Sequence, residues 1–149
     1  RMKKLLLIAV GMVAALMMLS CAPTRGIVRN PKHIQSNSPH MRIVSVELTN
    51  TETIIEVDVT FPADEGYWVR FNETTYLITD RGTRYQIRDV DNMKLGEKYY
   101  MPKSGYAQFT LRFPPMDSRV QSFSFMEMNE VNGWDIQGIQ LNNIERQKR

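Results

Sequence analysis

Ile55-Glu56-Val57-Asp58-Val59-Thr60-Phe61 alternates apolar and polar residues without a break, and so does Tyr106-Ala107-Gln108-Phe109-Thr110-Leu111-Arg112-Phe113 before Pro114-Pro115 ends it. A period of two is the side-chain period of a β-strand and cannot put one apolar stripe on a helix. Each stretch therefore owns one greasy face. Stacked sheets bury such faces against each other at about 10 Å separation. Val57 and Val59, with Phe109 and Leu111, are the expected centre of the core.

Outward from these two stretches, further strand signals follow at short intervals. Arg42–Leu48 sets Val44, Val46 and Leu48 on one face. Tyr67–Phe71, Thr75–Thr79, Arg84–Ile87, Lys98–Met101, Ser122–Met128 and Gly133–Ile139 are the others, and Asp80-Arg81-Gly82 supplies a hairpin turn between two of them. No stretch after Leu19 has a helical apolar pattern. Eight or nine short strands with regular turn signals predict an all-β fold, an antiparallel immunoglobulin-like β-sandwich over residues 41–141 with a polar tail at 142–149.

The N-terminal region speaks to location. Arg1-Met2-Lys3-Lys4 precedes an apolar run from Leu5 to Leu19, then Ser20-Cys21. A basic start, an apolar core and a small residue before the processing point are the parts of a secretory signal. A cysteine directly after it marks a lipoprotein signal over 1–20, with lipid such as palmitate on Cys21 as membrane anchor. Met18 and Leu19 depart from the usual Leu and Ala or Ser of a lipobox, while Ser20 fits. The run is short of the roughly twenty residues that span a bilayer; a plain secretory signal is the other alternative. Residues 21–40, with Pro23, Gly26, Pro31, Pro39 and Ser36-Asn37-Ser38, are expected to form a flexible stem.

The formal charge of +3 comes from Arg1, Lys3 and Lys4, and from Cys21 onward 16 bases balance 16 acids. The basic balance thus belongs to the targeting segment and argues against nucleic acid as a partner. Cys21 is the only cysteine, so with a lipid on it the chain has no thiol for disulfides, redox chemistry, nucleophilic catalysis or thiolate metal sites.

Few residues suggest chemistry. His33 and His40 both fall in the expected stem, where no scaffold would hold an imidazole for catalysis. Asp89-Val90-Asp91-Asn92 resembles the start of a calcium loop, but Lys94 takes the glycine position and Tyr100 that of the bidentate glutamate, so no metal site is expected. Glu127, Glu130 and Asp135 bunch near the C-terminal edge, and paired carboxylates can hydrolyse glycosides only at defined separations. No phosphate loop, zinc spacing or nucleophile elbow is present. The chain is expected to be no enzyme and to need no cofactor. Its aromatics suit strand packing. The alternative is a ligand platform, with Trp68, Tyr99 and Trp134 the candidates; Tyr99 and Tyr100 must point to opposite faces.

Tyr67-Trp68, Thr75-Tyr76-Leu77, Asp80–Tyr85, Leu95-Gly96, Met101–Gly105, Phe109–Met116, Phe123–Glu127 and Trp134–Ile139 occur in an order that resembles the β-sandwich domain of Bacteroidetes lipoproteins. There the domain often precedes a thioredoxin-like one; here only a short tail follows Ile139. The resemblance implies a non-catalytic accessory or protein-interaction module. Ala22-Pro23-Thr24-Arg25-Gly26 lacks the acidic residues that follow the cysteine in surface-exposed relatives, which implies the periplasmic face of the outer membrane. Two functions stand as expectations: a lipid-anchored module of the cell envelope that binds a protein partner, and a small carbohydrate-binding or glycan-processing protein.

Overall fold

A computed structural model describes residues 24–61, 66–142 and 144–146, with only the backbone of the last two. The expected signal at 1–20 and the lipidation site Cys21 lie outside the described residues. Thirteen strands run in chain order: β1 Thr24–Arg29, β2 Gln35–Ser36, β3 Met41–Thr49, β4 Thr53–Thr60, β5 Trp68–Val69, β6 Thr75–Thr79 and β7 Arg84–Gln86. β8 Asp89–Val90, β9 Tyr99–Tyr100, β10 Tyr106–Phe113, β11 Ser122–Glu127, β12 Asp135–Gln140 and β13 Glu145–Arg146 complete them. The described residues contain no helix.

One sheet has the order β13-β1-β3-β4-β10-β8, the other β2-β12-β11-β6-β7, and β5-β9 is a separate two-stranded ribbon. Every pairing is antiparallel. The inner part of the first sheet, β3-β4-β10-β8, has the A-B-E-D order of an immunoglobulin-like sandwich, and β7-β6-β11-β12 has C′-C-F-G. The fold is the expected all-β sandwich, with β1, β13 and β2 added at its edges.

The two alternating stretches lie side by side, Val57 opposite Phe109 and Ile55 opposite Leu111. All four are buried, as is Val59. The inner sheet faces meet through rings as well as aliphatics: Phe113 of β10 and Phe125 of β11 sit 6.4 Å apart, edge to face. β3 departs from simple alternation. Its register shifts between Ile43 and Ser45, so Met41 and Ile43 face the core before the bulge, and Val46 and Leu48 after it. Val44, expected on the buried face, is only half-buried.

The expected stem is corrected. Thr24–Arg29 is a sheet strand, with Val28 opposite Val46 and buried in the core. Arg25 ties it down by donating to the carbonyls of Thr49, at 3.1 Å, and Met116, at 2.9 Å. Gln35–Ser36 pairs with β12. Only Val28 of this strand is a large apolar residue buried in the core, which is why prolines, glycine and charges around Ile27-Val28 conceal it. The polar tail is corrected too: Glu145 and Arg146 pair with Ile27 and Gly26.

The sandwich has two poles. The first holds the start of β1 and the β3–β4 turn, with Thr24 opposite Thr49 and Phe113 opposite Thr53. The second holds the start of β3 and the end of β4, with Met41 opposite Val59 and Tyr106 opposite Thr60. Phe71, in the β5–β6 connection, brings the β11–β12 turn to this second pole, since its ring lies 5.2 Å from Phe109 and 6.5 Å from Trp134.

Candidate functional site

At the second pole the β4–β6 and β11–β12 connections enclose a cleft of about 400 Å³. In an immunoglobulin-like fold these are the B–C and F–G connections, which in variable domains carry binding loops. Trp68, Arg70 and Asn72 line one wall, and they stand at alternate positions of one extended segment, so they share a face. Glu127, Glu130 and Trp134 line the other.

The ribbon sets which rings face out. Val69 pairs with Tyr99 and Trp68 with Tyr100, and paired residues share a side. Val69 is buried, and the Tyr99 ring lies edge-on to Phe109 at 5.1 Å, so this pair faces the body. Trp68, 41% exposed, and Tyr100, 64% exposed, face outward. Of the expected platform, Trp68 and Trp134 share the cleft, while Tyr99 does not line it. Tyr100 is the ring that shares the outer side with Trp68.

Two cations cover the Trp68 ring: the Arg70 guanidinium carbon at 5.3 Å from the centroid and the Lys98 ammonium at 4.5 Å. Arg70 Nε is buried with no hydrogen-bond partner among the described residues. Trp134 is half-buried and stacks on Phe71. Asn72 donates from one amide nitrogen to both Glu127, at 2.7 Å, and Glu130, at 3.3 Å. Burial pushes the Glu127 carboxyl up, while Asn72, the Trp134-side backbone bond and Arg70 hold it down and Glu130 adds to the rise.

The turn itself is built tightly. Glu127 N–H donates to the Trp134 carbonyl and Met128 N–H to that of Thr74, both at 2.8 Å. A Cβ on Gly133 would sit 2.9 Å from both Cβ and the carbonyl oxygen of Glu127, so only glycine admits this approach.

The other expected residues are placed as follows. Asp135 is on β12, outside the cleft lining, and accepts from Gln137 at 3.2 Å. Asp91 receives two bonds from Arg112, at 2.8 and 2.9 Å, and this guanidinium holds its carboxyl below the usual range. Asp89 accepts from the N–H of Val90. Among the described residues no group of three or more acids, histidines or cysteines is placed to hold a metal. His40 is no loose histidine: it stacks on Phe61 at 4.5 Å, and Phe61 stacks on Tyr67 at 5.0 Å.

Sequence reasoning missed Arg70, Asn72, Lys98 and Tyr100. The first two were findable, because they repeat the alternation that begins at Trp68; Lys98 and Tyr100 depend on ribbon pairing, which no local pattern shows. No protein-family model, curated protein or solved structure matches the chain.

Proposed function

We propose that this chain is a non-catalytic binding module of the cell envelope, anchored through lipid on Cys21, whose second-pole cleft takes a saccharide. The observation that carries the reading is the Trp68 indole, exposed on the same face as Arg70 and Asn72 and set across a cleft from Glu127 and Glu130. Once Arg70 or Lys98 swings off the ring, the indole offers an apolar plane to the C–H face of a sugar ring. Neighbouring amide, guanidinium and carboxylate groups can order its hydroxyls, the usual division of labour in a ligand pocket. Hydrolysis fits the carboxylates poorly. A glycosidase sets its two acids on either side of the scissile bond, whereas Glu127 and Glu130 converge on one Asn72 nitrogen. The envelope location rests on the apolar run and Ser20-Cys21.

A protein partner at the same pole is the second reading, favoured by Val131, 99% exposed at the turn tip. Strand addition to a sheet edge has less support, since the outermost strands are only two or three residues long. A glycan array probed with the full chain, followed by calorimetry on the hits, tests the proposal. Binding should be lost in Trp68→Ala and kept in Val131→Ser. An array without hits, or hits indifferent to Trp68, would refute the saccharide reading.

A further inference from the structure

A second cleft lies at the opposite flank of the same pole, where β3 and β12 diverge. Its volume is about 460 Å³, within the range of small-molecule sites. Met41 and Ile43 of β3 form one wall and Ile136 and Ile139 of β12 the other. All four belong to the buried core and only their edges reach the cleft, so they make its apolar floor.

The β1–β2 connection crosses its mouth as a strap fastened to both sheets. Asn30 N–H donates to the Val44 carbonyl at 2.7 Å and Ile34 N–H to that of Gln137 at 2.9 Å; the Lys32 carbonyl accepts from Gln140 N–H at 2.8 Å. The strap's side chains line the rim with Lys32 and His33, and β3 adds Arg42. Arg42 is already engaged, donating to Asp58 at 2.8 Å and to Asn30 at 3.0 Å. Lys32 makes no ion pair among the described residues. No acidic side chain lines this cleft among those residues.

An apolar floor beneath a rim that carries the unpaired Lys32 ammonium and the His33 ring, with no acidic side chain among its lining residues, suits a molecule with one alkyl chain and an anionic end. We infer that this cleft binds a long-chain carboxylate of the fatty-acid type, its chain between Ile43, Ile136 and Ile139 and its carboxylate at Lys32 and His33. The alkyl chain would gain from leaving water. The carboxylate would meet the Lys32 ammonium, a charged donor whose hydrogen bonds are the strong ones, with the His33 ring beside it. This site is separate from the Trp68 cleft and stands whether or not that cleft takes a sugar.

The test uses the full chain with isotope-labelled isoleucine methyl groups, titrated by NMR with dodecanoate below its micelle concentration. Site-resolved signals matter, because the apolar run at 5–19 can itself take up amphiphiles. Saturable shifts at Ile43, Ile136 and Ile139, with Ile54 and Ile78 unmoved, are expected. The double variant Lys32→Glu, His33→Glu should weaken them by at least about tenfold, and dodecyltrimethylammonium should not produce them. Absent shifts, shifts equal for the cationic amphiphile, or affinity unchanged in the double variant would each overturn the inference.

Discussion

The β4–β10 pair and the β5–β9 ribbon are both antiparallel and both rich in apolar residues, yet they treat those residues in opposite ways. β4 and β10 pair over eight positions and bury Ile55, Val57, Phe109 and Leu111. The ribbon pairs over two positions and leaves Trp68, Tyr99 and Tyr100 partly or largely in water. Burial of a large side chain contributes roughly 1.5–3 kcal/mol, so the body's rings are explained by stability alone. The ribbon's outward rings are not. Aromatic surface held out in solvent beside a polar cleft is the feature on which the proposed ligand site rests.

Experiments that remove the body's supports should show the largest effects. A fragment of residues 41–141 lacks β1 and β2, so Val46 and Leu48 lose their neighbour strand. It should forfeit several of the roughly 5–15 kcal/mol typical of a domain, seen as an early or absent cooperative transition by circular dichroism. A fragment as stable as the full chain would show that β1 is dispensable. Next, Phe109→Ala should cost about 3–5 kcal/mol, while Thr110→Ala, its half-buried neighbour, should cost no more than about 0.5 kcal/mol. Urea melts of the pair decide whether the alternation at β10 governs stability. Gly138→Ala should fall between them. Gly138 has a φ of +67°, and a Cβ there would lie 2.6 Å from the mobile tip of Ile34. The tip can rotate aside, but Ile34 Cβ at 3.0 Å cannot, so some crowding adds to the backbone term of about 1–2 kcal/mol.

The smallest effects concern pH, and here the two regions should differ in sign. Asp91 in the body is held below its ordinary value, so its contribution is present above about pH 4 and fades as pH falls through the lowered value. Glu127 in the cleft is raised, so its contribution is fullest below about pH 4 and is lost as pH rises through the raised value. Both side chains meet solvent, which limits each effect to less than about 1 kcal/mol. Asp91→Asn should flatten the acid limb of the stability curve, and Glu127→Gln should flatten the decline above it. The reverse assignment in thermal melts across pH 2–7 would contradict the two environments.

What the chain revealed in advance follows the same divide. β4, β6, β10 and β11 were legible because each buries one face over several residues, and burial writes period two into the sequence; β7, with no buried residue, was legible from the Asp80-Arg81-Gly82 turn before it. β1 was not, since its hold depends on Val28, on Arg25 reaching two carbonyls, and on a partner strand some twenty residues away. At the site, both tryptophans were visible as candidates. That Tyr99 and Tyr100 face opposite ways was also visible, but which one joins Trp68 depends on ribbon register. Asn72 between two glutamates could emerge only when two connections met in space.

β1 also fixes the pole from which the N-terminal residues depart. An immunoglobulin-like chain that began at β3 would start at the cleft's own pole. The added strand runs the other way, so whatever precedes Thr24 departs from the far pole. Only Ala22 and Pro23 separate Cys21 from Thr24. With the lipid proposed on Cys21, that far pole would be the one nearer the membrane and the aromatic ribbon would lie at the other. The eight residues of β4 separate the two poles by roughly 25 Å, so the body of the domain itself supplies that distance between the proposed anchor and the ribbon.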